Sequence, residues 1–220
     1  MLPTAGNGFL VQQASINFLS LDDLNRLTLA FQGRYDNEKS EPLRKRYGRH
    51  WLVYLLLRFT GARVSEVLSL SYNDIDFRNA EVKLVTLKRH NPKRKNSYRI
   101  VPVPANVTSE IATYIAQYPD MKDKLFNISR TVFYRVFKEV CQQAGIPREL
   151  SHPHILRHTR AIELLRAGVP VTVVQDLLGH SALTTTATYL RISGQEAKNI
   201  LKEKGLVWWN LKLLLWLNWR

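Results

Sequence analysis

The chain has 220 residues, of which 45% are hydrophobic, and 32 Lys+Arg against 18 Asp+Glu leave a formal charge of +14. Its single cysteine, Cys141, excludes an intramolecular disulfide and a Cys-based zinc site. The charge excess predicts a polyanionic partner, nucleic acid or an anionic membrane surface, although a well-solvated surface would carry the same signature.

Residues 1–19 show no clear period and read as a leader or linker, with no charged n-region and apolar run of a secretory signal. Ser20 with Asp23 makes a capping box for a helix to about Gln32, followed by a polar loop over 33–42. A basic run, Arg44, Lys45, Arg46 and Arg49, then feeds an apolar helix over 51–59. Cations at a helix start oppose the macrodipole, so they stay in solvent or meet a phosphate, and the residues alone favour solvent.

Thr60-Gly61 interrupts that helix, and 63–70 resumes it. Arg63 and Glu66, three apart, read first as a surface ion pair worth about 0.2–0.5 kcal/mol. Residues 81–87 and 98–103 alternate and are rich in β-branched side chains, which predicts a hairpin. Its tip over 88–96, KRHNPKRKN, holds five Lys or Arg in nine residues. Helices are expected over 108–117 and 129–144, the second with Arg130, Arg135 and Lys138 on a solvated or nucleic-acid-facing side.

Residues 151–191 carry the densest chemistry. His154 and Arg157 share a helix face, and Ile155, Ile162 and Leu165 keep the helical period that packs inward. His158 reads as a structural histidine. A second helix is expected from Thr172, with Gln175 as its capping-box partner, to Gly179, suited to the left-handed end position. His180 follows, and Tyr189 comes nine residues after it. Cations for non-bridging oxygens, proton carriers and an oxygen nucleophile suit a phosphodiester.

The pattern H-x-x-R-H at 154–158, L-L-G-H-S at 177–181, the tyrosine nine residues past that histidine and T-G-A-R-V-S-E at 60–66 resemble the tyrosine recombinases of the phage-integrase family. Three boxes in order over residues 21–204 are a specific signal, where one alone would be weak. The resemblance implies a mainly α catalytic domain over 20–205 with a small antiparallel β-hairpin or sheet. It implies site-specific cutting and rejoining of duplex DNA. Tyr189 would form a 3′-phosphotyrosine, with Arg63, Arg157 and His180 stabilising the equatorial oxygens and Glu66 orienting Arg63. His154 would take the tyrosine proton, and a hairpin lysine would protonate the leaving oxygen. Lys88 aligns best, about one residue off the usual spacing, with Lys93 and Lys95 as alternatives. The resemblance turns Arg44, Lys45, Arg49, Lys93, Arg94 and Lys95 toward DNA. It requires no cofactor and no metal. It implies a tetramer on DNA and a cytoplasmic, nucleoid-associated protein with no membrane role.

Three rivals are weaker. His154 and His158 stand four apart as in a zinc hydrolase, but Arg157 beside them would repel a divalent ion. Residues 172–189 could pass for a helix-turn-helix of an accessory DNA-binding protein, which needs no such Arg, His and Tyr set. A type IB topoisomerase shares the chemistry but not the L-L-G-H-S box. Family members usually carry an N-terminal clamping domain. With about twenty residues ahead of the catalytic part, a truncated or a minimal recombinase is expected. The tail 206–220 holds four of the five tryptophans and is shorter than the roughly 20 apolar residues of a membrane span. Its composition break favours a non-native extension over an interfacial or subunit-docking helix.

Overall fold

The computed structural model describes residues 17–86, 97–121 and 125–179. Among these the fold is mainly helical, with a three-stranded antiparallel sheet in the order β1-β2-β3. Its helices are α1 Leu21–Asp36, α2 Glu41–Thr60, α3 Val64–Leu68, α4 Ala105–Gln117, α5 Arg130–Gln143, α6 His154–Arg166 and α7 Val171–Leu178. Its strands are β1 Ile75–Asp76, β2 Glu81–Thr86 and β3 Ser97–Pro102.

Helix α2 is the axis of the domain. From Trp51 to Leu57 every residue is buried, so no solvent stripe exists there and neighbours must cover the helix all round. Helix α1 covers one side, with Phe31 stacked on Tyr54 at 4.5 Å and Thr28 sharing a 2.7 Å hydrogen bond with the Tyr54 hydroxyl. Helix α6 is tied to the far end of α2 by Arg58, which donates to both carboxylate oxygens of Glu163 at 2.7 and 2.6 Å. A small second core, Ala161, Ile162, Val174 and Leu178, joins α6 to α7, with Leu165 packed at its edge.

The Ser20–Asp23 capping box is present as the sequence predicts, and Gly179 ends α7 at φ 67°. Several boundaries differ, among them the start of α4, at Ala105 rather than 108. Helix α1 runs through Gly33 to Asp36, so the loop is shorter than expected. Helix α2 starts at Glu41 with a proline in its first turn, where a missing N–H costs nothing. The basic run 44–49 therefore lies inside α2 rather than ahead of it. Helix α7 is preceded by Pro170 and has no side-chain cap, so Thr172 and Gln175 are interior residues, not a capping box.

In the hairpin, Val82 faces Val101 and Leu84 faces Arg99. Cross-strand partners point to the same side of a sheet, and Val82, Leu84 and Val101 are core residues. Arg99 is thus an inward charge on an apolar face, while Tyr98 and Ile100 are exposed.

Candidate active site

The site forms where the C-terminal ends of α2 and α7 meet the start of α3. Gly61 closes α2 in the left-handed region at φ 62°, and a Cβ there would collide with Leu178 of α7. This glycine lets the chain turn sharply while α7 packs directly on the turn. The turn exposes the Gly61 carbonyl, which accepts a hydrogen bond from Nη1 of Arg157 at 2.8 Å. Arg157 is 4% exposed, an expensive place for a guanidinium unless its donors are used.

Two residues on, Arg63 sits just before α3. Its Nη1 donates to Glu66 Oε1 at 3.0 Å and to the Gly179 carbonyl at 3.3 Å, and its backbone N–H donates to Glu66 Oε2 at 2.9 Å. The Nε and Nη2 atoms of Arg63 make no hydrogen bond among the described residues. Glu66 is buried and also accepts from Arg99 Nη2 at 2.7 Å and Nη1 at 3.4 Å. Burial raises its pKa, but hydrogen bonds and charge from Arg99, then Arg63, outweigh that and hold the carboxyl below its ordinary value. Glu66 is therefore ionised at neutral pH.

His154 opens α6 and meets His158 edge-on, ring centroids 5.3 Å apart. Desolvation, then repulsion from His158, Arg157, His152 and Arg63, depresses its pKa. His152 and His158 are also shifted down, chiefly by desolvation. His154 keeps part of its surface open to solvent although its neighbours desolvate the ring, and being neutral at pH 7 it has a ring nitrogen able to accept a proton.

Arg63, Glu66, His154 and Arg157 are thus brought together from two segments, the start of α3 and the start of α6. Lys88, Lys93, Arg94, Lys95, His180 and Tyr189 lie outside the described residues, as does the tail 206–220. Arg44, Lys45 and Arg49 are not at this site. Arg44 lies about 24 Å up the α2 axis from Thr60 at 1.5 Å per residue. There it stacks on Tyr35, Lys45 pairs with Asp120 at 2.6 Å, and Arg49 donates to the Asn127 carbonyl at 3.4 Å. Arg99 was not singled out from the sequence. The signal was available: a charge at the inward parity of a strand, in step with Val101, demands a buried partner. Among the described residues no group of three or more His, Cys, Asp or Glu could hold a metal, and no helix is long and apolar enough to cross a membrane.

A mainly helical domain that crowds arginines and neutral imidazoles around two glycine-ended helices is suited to gripping a phosphodiester. The chain belongs to the phage integrase family, whose profile matches residues 18–196. It is 38% identical over 165 residues to a tyrosine recombinase of Pseudothermotoga lettingae, covering 71% of this chain and 55% of that protein. It is 32% identical over 168 residues to tyrosine recombinase XerA of Pyrococcus furiosus, covering 72% and 56%. The chain spans about half the length of these curated relatives. Its fold resembles crystalline XerA recombinase at TM-score 0.66 and 22% identity, over 90% of this chain and 66% of that one. It also resembles XerH recombinase bound to its difH substrate before cleavage, at TM-score 0.65 and 25% identity, over 83% and 52%.

Proposed function

We propose that this chain is the catalytic part of a site-specific recombinase that cuts and rejoins duplex DNA through a 3′-phosphotyrosine. The observation that carries the reading is the convergence of Arg63, Arg157 and His154, the two arginines held by backbone and carboxylate partners before any substrate arrives and His154 set edge-on against His158. Preorganised donors of this kind stabilise charge that develops in a transition state.

In the proposed step Tyr189 loses its proton to His154 as its oxygen attacks phosphorus. The bond to the 5′ oxygen breaks, and Lys88, or Lys93 or Lys95, protonates that oxygen. Arg63, Arg157 and His180 hold the equatorial oxygens. An anionic phosphodiester beside His154 offsets the surrounding cations and raises its basicity toward what proton transfer requires. The ester keeps the bond energy, so rejoining is the reverse step and no nucleotide or metal enters it. Duplex DNA is the proposed partner, with four copies assembling on two duplexes. The proposed setting is the cytoplasm, on the nucleoid.

The test is trapping on a nicked random-sequence duplex pool, where the short cut fragment diffuses away and blocks religation. DNA recovered attached to denatured protein should carry its link at a 3′ phosphate, in equal yield with and without EDTA. Loss in EDTA with rescue by Mg²⁺ overturns the metal-free mechanism.

The hairpin tip is proposed to track the backbone of the duplex. Replacing Lys93, Arg94 and Lys95 together by glutamine should lower the slope of log K against log salt by about 2–3. An unchanged slope would show that the tip points away from DNA.

A further inference from the structure

Arg99 and Arg63 bracket one carboxylate, and their surroundings differ. The Arg99 side chain is 10% exposed and Glu66 1%, whereas Arg63 is 38% exposed. Arg99 presents two nitrogens to Glu66 and gives its Nε–H to the Leu177 carbonyl at 2.8 Å. Its guanidinium lies flush on Gly179, where a Cβ would come within 2.8 Å of Nη1. One side chain of β3 therefore fastens Glu66 and the last turn of α7 in a single rigid fork.

We propose that Arg99 is a positioning residue for DNA cleavage. It neutralises Glu66 and fixes the end of α7, so that Glu66 and the Gly179 carbonyl aim Arg63 without cancelling its charge. A lone Arg63–Glu66 pair is neutral and has little reason to seek a phosphate. Two arginines on one carboxylate leave a net positive charge, and the more exposed Arg63 is the one able to deliver it. The same fork ties the strand leading from the lysine-bearing hairpin to the turn that precedes His180. Any shift of β3 would then be felt at Arg63 and at the end of α7 together.

The inference rests on the recombinase reading, since that reading gives Arg63 its phosphate. The first measurement is accordingly made on free protein. Arginine side-chain NMR of the full chain should show the Arg63 guanidinium with slow rotation and separate Nη signals, because Nη1 is held by Glu66 and Gly179. In Arg99→Met, well below its melting temperature, these should merge into one averaged signal. In Arg99→Lys, which restores the charge but not the fork, they should be partly recovered. If Arg99→Met leaves Glu66 too poorly paired to fold, the neutral Glu66→Gln/Arg99→Met variant is read instead, with the same averaging expected. The second measurement is adduct formation on DNA recovered from the random pool. A loss of about 100-fold in rate is expected for Arg99→Met, the scale of a misplaced catalytic group, with DNA affinity retained and part of the rate regained in Arg99→Lys. Persistence of separate Arg63 signals in Arg99→Met overturns the proposal, whatever the DNA result. So does a rate loss no larger than the fraction of unfolded protein. Absence of adduct from wild type, with the NMR change present, would indict the cleavage reading and not the bridge.

Discussion

Tyr189→Phe should bind DNA as wild type does and form no covalent adduct at all. Tyr189 is proposed as the nucleophile because it stands nine residues after His180, the histidine of the L-L-G-H-S box. An ordinary packing role for that ring predicts something else. Phenylalanine keeps the ring and removes one hydroxyl, which costs at most about 1–3 kcal/mol if a buried partner is orphaned. A packing defect of that size lowers the melting temperature and leaves residual activity in the folded fraction. Loss of the attacking oxygen leaves the melting temperature nearly unchanged and activity at zero. Both quantities are measured on the same preparation, the adduct on the nicked duplex pool and melting by circular dichroism. An adduct that persists in Tyr189→Phe would sink the assignment.

The sequence made some of this legible for local physical reasons. The Ser20–Asp23 capping box, the apolar length of α2, the alternating hairpin and the left-handed Gly179 are all short-range patterns. Gly33 misled because a glycine inside a helix costs about 1 kcal/mol, which packing on α2 overrides. Pro42 could have marked the first turn of α2, and the apolar run beginning at Trp51 hid it. Arg63, Glu66, His154 and Arg157 were found through their boxes, but their partners were not legible. The carbonyls of Gly61, Leu177 and Gly179 carry no sequence signature, since every residue has one and only the tertiary path decides which is presented. For the basic run the residues alone favour solvent and only the family resemblance turns them toward DNA; in the structure Arg44, Lys45 and Arg49 also contact Tyr35, Asp120 and the Asn127 carbonyl, far along α2 from the site.

Arg157→Met should fold and bind DNA while losing about 100- to 1000-fold in cleavage rate, the usual cost of one donor aimed at developing charge. Burial sets up the contrast. Arg157 is 4% exposed and spends Nη1 on the Gly61 carbonyl. That bond helps to hold the α2–α3 turn, so removing it exposes the turn to a penalty of about 1–3 kcal/mol for an orphaned acceptor. Methionine, however, also removes a buried cation whose desolvation opposes folding, and it fills much of the same volume. The two effects oppose each other, and the net stability change should be small. DNA binding should weaken slightly, with the salt slope smaller by about 1 for a lost phosphate contact. Arg157→Lys should recover the salt slope and little of the rate, because an ammonium lacks the fork that can hold Gly61 on one side and a phosphate oxygen on the other. Single-turnover adduct formation, melting and salt-dependent binding separate these outcomes. Wild-type cleavage by folded Arg157→Met would remove Arg157 from the phosphate and leave it as a brace for the Gly61 turn.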